Sequence, residues 1–124
     1  MELSWEYIAG FFDGEGCCKI FKYQNPGCNA GQRPYIGVNQ KTENDLVLQE
    51  IAETLDEYDI TYCLYSHKYK EQCKMTVLKM QDRKECLKFI SYILPYIIVK
   101  KRDVLKVKRF CERALNGNQN LCES

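Results

Sequence analysis

Ile8-Ala9-Gly10-Phe11-Phe12-Asp13-Gly14-Glu15-Gly16 is an apolar run with an Ala-Gly pair that stops in two carboxylates set between glycines. Ala9 and Gly10 have almost no side chain, so a second backbone can approach a helix closely there. Gly14 and Gly16 let the chain leave that helix in conformations a side chain disfavours. The last carbonyls of a helix carry partial negative charge. An acid placed among them, Glu15, makes with those oxygens a site suited to a hard divalent cation. Taken alone, the nonapeptide also fits an ordinary apolar helix closed by a glycine-rich cap.

Ser4 is placed to cap this helix, expected from Trp5 to about Asp13. Cys17 to Gln24 then alternates as a strand does, with Cys18, Ile20 and Lys22 opposite Lys19, Phe21 and Tyr23. Asn25-Pro26-Gly27 and Asn29-Ala30-Gly31 mark a loop. Tyr35 to Gln40 reads as a second strand, with Ile36 and Val38 on one face. From near Thr42, apolar residues at Val47, Leu48, Ile51, Ala52 and Leu55 predict an amphipathic helix. Ile60 to Tyr69 and Cys73 to Met80 alternate again around a turn near Lys70-Glu71-Gln72. Asp82 can cap a helix carrying Cys86, Leu87, Phe89, Ile90 and Ile93, which stops near Pro95. A last helix is expected from about Arg102 to Leu115, ended by Asn116-Gly117-Asn118.

The order is αββαββα. It predicts an α+β domain over residues 1–115, a four-stranded antiparallel sheet with helices on one face, and a flexible tail over 116–124. An antiparallel sheet can leave its second face open.

The 124 residues suit one domain, and 45% hydrophobic with 28% charged residues excludes wholesale disorder. No signal-peptide pattern opens the chain, and the apolar run Ile93 to Val99 is short and broken by Pro95, so a soluble protein with no membrane partner is expected. Eight cysteines show no C-x-x-C pairing, and His67 is not spaced with them as a zinc ligand. They read as small apolar residues of an intracellular, reducing compartment. The net charge of +1 argues against a strongly basic clamp. Yet Lys and Arg gather at Lys68–Lys74, Lys79–Lys88 and Lys100–Arg109, while acids concentrate in Glu43–Asp59, which is compatible with one basic face.

The nonapeptide resembles the signature of the LAGLIDADG homing endonucleases, with Ile for the first Leu, Phe-Phe for Leu-Ile, Gly for the second Ala and Glu for the last Asp. The element order resembles that family too, over all but about the last dozen residues. The resemblance implies a divalent-metal-dependent endodeoxyribonuclease using Mg²⁺, with other cations such as Mn²⁺ also suited, and no small-molecule cofactor. It makes Glu15 the direct metal ligand, joined by the main-chain carbonyl of Gly14. Asp13 matches the earlier acid of the motif and reads as an organiser of the turn. Tyr35 to Thr42 resembles the second-strand segment in which Gln40 positions the attacking water; a polar strand end is the other reading. Leu94 to Lys101 resembles the Pro-containing segment that delivers an active-site lysine, here Lys100, with Lys101 or Arg102 on the DNA backbone; a solvated basic run is the alternative.

One copy of the signature is present, and one acid cannot serve two strands. A homodimer packed through Ile8, Ala9, Gly10, Phe12 and Asp13 would place two Glu15 carboxylates side by side. A β-ribbon can lie in the major groove of duplex DNA. The expected DNA-facing set is Lys19, Phe21, Tyr23, Arg33, Tyr35 and Lys41 around the first hairpin. Both faces of the second hairpin are mixed, and Ser66, Lys68, Lys70, Lys74 and Thr76 are its candidates. The expected activity is cleavage of both strands of a long, near-palindromic site, in the setting of intron homing. The alternatives are an RNA-splicing maturase or a non-cleaving DNA-binding regulator of the same fold, and an unrelated α/β dimerisation module.

Overall fold

A computed structural model describes residues 3–23, 31–71 and 73–123, without the side chains of Tyr23 and of residues 116–123. The loop expected at Asn25–Gly31 therefore lies almost wholly outside the described residues. Helix α1 spans Trp5–Glu15, and the Ser4 hydroxyl accepts from the Tyr7 amide at 3.1 Å, so the expected cap forms. Strands β1 (Gly16–Tyr23) and β2 (Gly31–Lys41) follow, then a short 3₁₀ turn at Thr42–Asn44 and helix α2 (Leu46–Glu57). Strands β3 (Cys63–Lys70) and β4 (Cys73–Met80) precede α3 (Arg83–Ile93), a second 3₁₀ turn at Leu94–Tyr96, and α4 (Lys101–Glu123).

The sheet has the order β1-β2-β4-β3 and every pairing is antiparallel. Even-numbered residues of β1, β2 and β4 turn inward: Cys18, Ile36, Val38, Leu78 and Met80 join one core with α1–α4. The expected α+β architecture is therefore the observed one, an αββαββα chain with its helices on one face of a four-stranded sheet. Ile8, Ala9 and Phe12 of α1, Leu48, Ile51 and Leu55 of α2, Phe89 and Ile90 of α3, and Val104 and Val107 of α4 close the core. Trp5 stacks on Tyr92 with centroids 4.6 Å apart and meets Tyr58 edge-on at 5.1 Å, which locks the start of α1 onto α3.

Several boundaries differ from the sequence expectation, and β2 begins at Gly31 rather than Tyr35. The second helix begins at Leu46 rather than near Thr42, because Thr42 and Asp45 turn back to the buried Thr76: their side-chain oxygens lie 3.0 and 2.8 Å from its hydroxyl. β3 begins at Cys63 rather than Ile60. Asp59, at φ 59°, reverses the chain after α2, and the Ile60 amide closes on Leu55 O at 2.9 Å. Helix α4 also passes through Asn116-Gly117-Asn118, where the sequence predicts its end.

Candidate active site and nucleic-acid interface

Glu15 is the last residue of α1, and both it and Gly14 are exposed. Gly16 pairs with Val38 across the β1–β2 ladder, which places the end of α1 against the part of β2 that leads to Gln40 two residues on. Gly16 is required here: a Cβ would fall on the ring and carbonyl oxygen of Phe12, 2.6 Å from the latter. Gln40 is half-buried and follows Ile36 and Val38 on the helix side of the sheet, opposite Thr76 of β4.

Lys100 reaches the same corner from far along the chain. Its ammonium donates to the main-chain oxygen of Asp13 at 2.8 Å, at the electronegative end of α1. The Asp13 carboxylate accepts three amides in turn, with Ile98 N and Val99 N each 2.9 Å from Oδ2 and Lys100 N 2.8 Å from Oδ1. Desolvation pushes the Asp13 carboxyl upward. The three amides and the Lys100 charge outweigh it and hold the group below the usual carboxylate range. Asp13 thus organises a turn, as its sequence position suggests, and the structure brings Glu15, Lys100 and the approach to Gln40 to one corner.

A hard cation suits the donors at that corner, an exposed carboxylate and the carbonyl of Gly14, both oxygens. Yet among the described residues no three His, Cys, Asp or Glu side chains gather anywhere. One protomer offers a single exposed carboxylate at this corner, that of Glu15. The donor set fits a divalent metal when a second copy of the same corner stands beside it.

The expected dimer contact needs correction. Ile8, Ala9 and Phe12 are buried in their own core, Ala9 completely, because positions 8, 9 and 12 form one helical stripe and that stripe faces the sheet. The Asp13 carboxylate is likewise engaged within its protomer. Of the five residues named, Gly10 alone stays on the free side, where a Cβ would meet nothing within 4 Å; Gly14 is equally open one turn later.

Odd-numbered residues form the open face of the sheet. On the first hairpin it carries Lys19, Phe21, Arg33, Tyr35 and, at the strand end, Lys41. The Lys19 ammonium sits 4.4 Å from the Phe21 ring centre, and Phe21 meets Tyr35 edge-on at 5.2 Å. Burial first, then the neighbouring Cys17 and Tyr65, raises the Tyr35 hydroxyl pKa. Tyr23 pairs with Gly31, and its side chain lies outside the described residues.

The second hairpin is the larger correction. Ser66 pairs with Thr76 and Lys68 with Lys74, and both pairs share the parity of Leu78 and Met80, so they lie on the helix side. Thr76 is 2% exposed and bonded to Asp45 as well as close to Thr42 and Ser66, so no base can reach it. Lys70, past an irregularity at Lys68/Lys70, pairs with Cys73 and regains the open parity. The open face of this hairpin carries Tyr65, His67, Met75 and Lys79 around a covered Val77, with the Lys79 ammonium 5.2 Å from the Tyr65 ring centre. Leu78 and Met80, apolar and two residues apart in the core, carry the sequence signal that could have fixed this parity. Lys68 and Lys74 instead line a groove at the sheet's end with Lys41, Thr42, Glu43 and Glu71. Lys101 and Arg102 are exposed at the start of α4, beside Lys100.

A family model described as LAGLIDADG endonuclease matches residues 8–112. Solved structures share the fold. The homing endonuclease I-CvuI in complex with the I-CreI target has a TM-score of 0.75 at 19% identity, over 90% of this chain and 68% of that one. The homing endonuclease I-TnaI has 0.73 at 21%, over 94% and 77%. The LAGLIDADG homing endonuclease I-GzeII in complex with its DNA target has 0.78 at 22%, over 97% of this chain and 38% of that one. No curated protein sequence matches. The family match over residues 8–112 makes the protein a DNA endonuclease, a phosphodiester hydrolase, and the acid-tipped helix beside an open basic and aromatic sheet accords with that class. The chain belongs to the LAGLIDADG endonuclease family.

Proposed function

We propose that the protein is a sequence-specific homing endonuclease that cuts both strands of a long, near-palindromic duplex as a homodimer, with Mg²⁺ as its metal. One observation carries this reading: each protomer presents an exposed acid, Glu15, at the end of a helix whose free side carries glycine at positions 10 and 14, beside the exposed Tyr7. Two such helices in contact bring two Glu15 carboxylates and two Gly14 carbonyls together. A bound divalent cation supplies water activation and charge neutralisation at the phosphate. Glu15 and the Gly14 carbonyl would hold it, and the Gln40 amide on β2 would orient the attacking water. Lys100 presents its ammonium to charge developing on the phosphate. The open face, from Lys19 and Arg33 across to Tyr65 and Lys79, lies in the major groove and reads base edges. The described cysteines are free thiols, with Cys18, Cys86 and Cys111 buried, which accords with an intracellular, reducing setting.

Incubating the protein with Mg²⁺ and a randomised duplex library, then sequencing the cut ends, tests the reading. Paired cuts on both strands within one enriched site are expected. Glu15→Gln should remove them while sequence-specific binding in Ca²⁺ persists, because an amide of the same size is a weaker metal ligand. Specific binding without cutting by the unaltered protein would replace the nuclease with a DNA-binding regulator.

A further inference from the structure

Residues 98–100 form the bridge between the second 3₁₀ turn and α4, and little of their own packing holds them. Ile98 and Val99 are 81% and 78% exposed, while the nearest buried anchors are Ile97 before them and Val104 after. What fixes this bridge is Asp13, 85 to 87 residues earlier in the chain, whose two carboxylate oxygens accept all three amides at 2.8–2.9 Å. These amides lead into the N-terminus of α4, where a carboxylate also meets the positive end of the helix dipole. The same residue takes hold of Lys100 a second time, through its main-chain oxygen and the ammonium at 2.8 Å. Glu15 lies two residues further along the same helix end.

We propose that Asp13 is the positioning residue of the cleavage reaction: it clamps Lys100 at backbone and ammonium, and thereby sets the cation at a fixed place relative to Glu15. The proposal rests on the nuclease reading above and deepens it. Asp13 touches neither metal nor phosphate; it acts through Lys100. Its geometry demands a carboxylate. Two acceptor oxygens serve three donors, and an asparagine in the same place must turn its NH₂ toward at least one backbone N–H. The bridge then loses one or two of its three bonds, and with them the register of Lys100.

Single-turnover cleavage and binding in Ca²⁺ are measured for Asp13→Asn, Lys100→Met and the double variant. Asp13→Asn should slow cleavage about 10- to 100-fold, the scale of an ångström-sized misplacement, with binding changed by less than about threefold. On the Lys100→Met background the same substitution should cost less than about threefold, because residues acting as one unit are not additive. Amide exchange at residues 98–100 should accelerate in Asp13→Asn. Should that variant fold poorly, Asp13→Ser, which retains one acceptor oxygen, takes its place with the same expected order of rates.

An undiminished cleavage rate, an equal loss on both backgrounds, or unchanged exchange at 98–100 would each overturn the proposal and leave the nuclease reading standing. A wild-type protein that cuts no duplex overturns both.

Discussion

Replacing Gly10 with alanine should move the stability of the protomer and the activity of the enzyme in opposite directions. Gly10 sits in the middle of α1 with nothing within 4 Å of a Cβ built on it. Alanine is favoured over glycine inside a helix by about 0.8–1.0 kcal/mol, so the isolated protomer should become more stable by about that amount. With an unfolding entropy of about 2.1 cal/mol/K per residue, a chain of 124 residues should melt about 3–4 °C higher. The interface should respond the other way. A two-fold contact through the free face of α1 brings both copies of position 10 into it, and overpacking costs about 1–3 kcal/mol per site, or about 2–6 kcal/mol per dimer. At about 1.4 kcal/mol per decade, the dimer should loosen at least about 30-fold. Calorimetry in dilute solution, where association contributes least to Tm, reads the first effect; sedimentation equilibrium and cleavage on the same preparation read the second. A protein that melts higher yet dimerises and cuts as before would show that α1 does not meet its partner through this face. A lower melting point in dilute solution would show that Gly10 is not in open space.

Gly16→Ala should destabilise the fold by about 1–3 kcal/mol in urea titration, because the added methyl meets the buried Phe12 and its carbonyl, which cannot retreat; an unchanged midpoint would contradict the packing at the end of α1. Thr76→Val preserves shape and removes a hydroxyl that donates to Asp45 and lies 3.0 Å from Thr42 and Ser66, so a loss of about 1–3 kcal/mol is expected by the same titration. Lys79→Ala, on the open face, should change discrimination at particular base pairs by about 1–3 kcal/mol in a binding-site selection. Lys68→Ala, on the helix side, should leave the base preferences unaltered; a preference shift from Lys68 would reverse the assignment of the two faces.

The architecture was legible because several local signals agreed. Ser4 and Asp82 both cap their helices, and the alternation in β1, β2 and β4 sets a register that the pairing preserves. The two faces of the second hairpin were not legible from β3, an edge strand whose eight residues are all exposed, so polarity there carries no inward signal. The contact face of α1 was misread for a related reason. Ile8, Ala9 and Phe12 have the spacing of an apolar stripe, and a stripe packing on its own sheet looks in sequence like one packing on a second chain. The late start of β3, at Cys63 rather than Ile60, was hidden because Asp59, rather than a glycine, takes the left-handed conformation that reverses the chain before it. The clamp from Asp13 to residues 98–100 could not be read at all: a contact across 87 positions leaves no trace in local periodicity.

The length of β2 has a consequence for how rarely such an enzyme acts. Eleven residues at about 3.3 Å each give a strand of about 36 Å, which is about ten to eleven base pairs at 3.4 Å per step. In the homodimer proposed above, two copies end to end would survey about twenty base pairs, and even partial reading of that span would exceed the information needed to single out one address among about 10⁶–10⁹ competing genomic positions. On that proposal each position could be read loosely through aromatic rings and lysines, tolerating drift in the target, while the ensemble of contacts would still spare the rest of the chromosome.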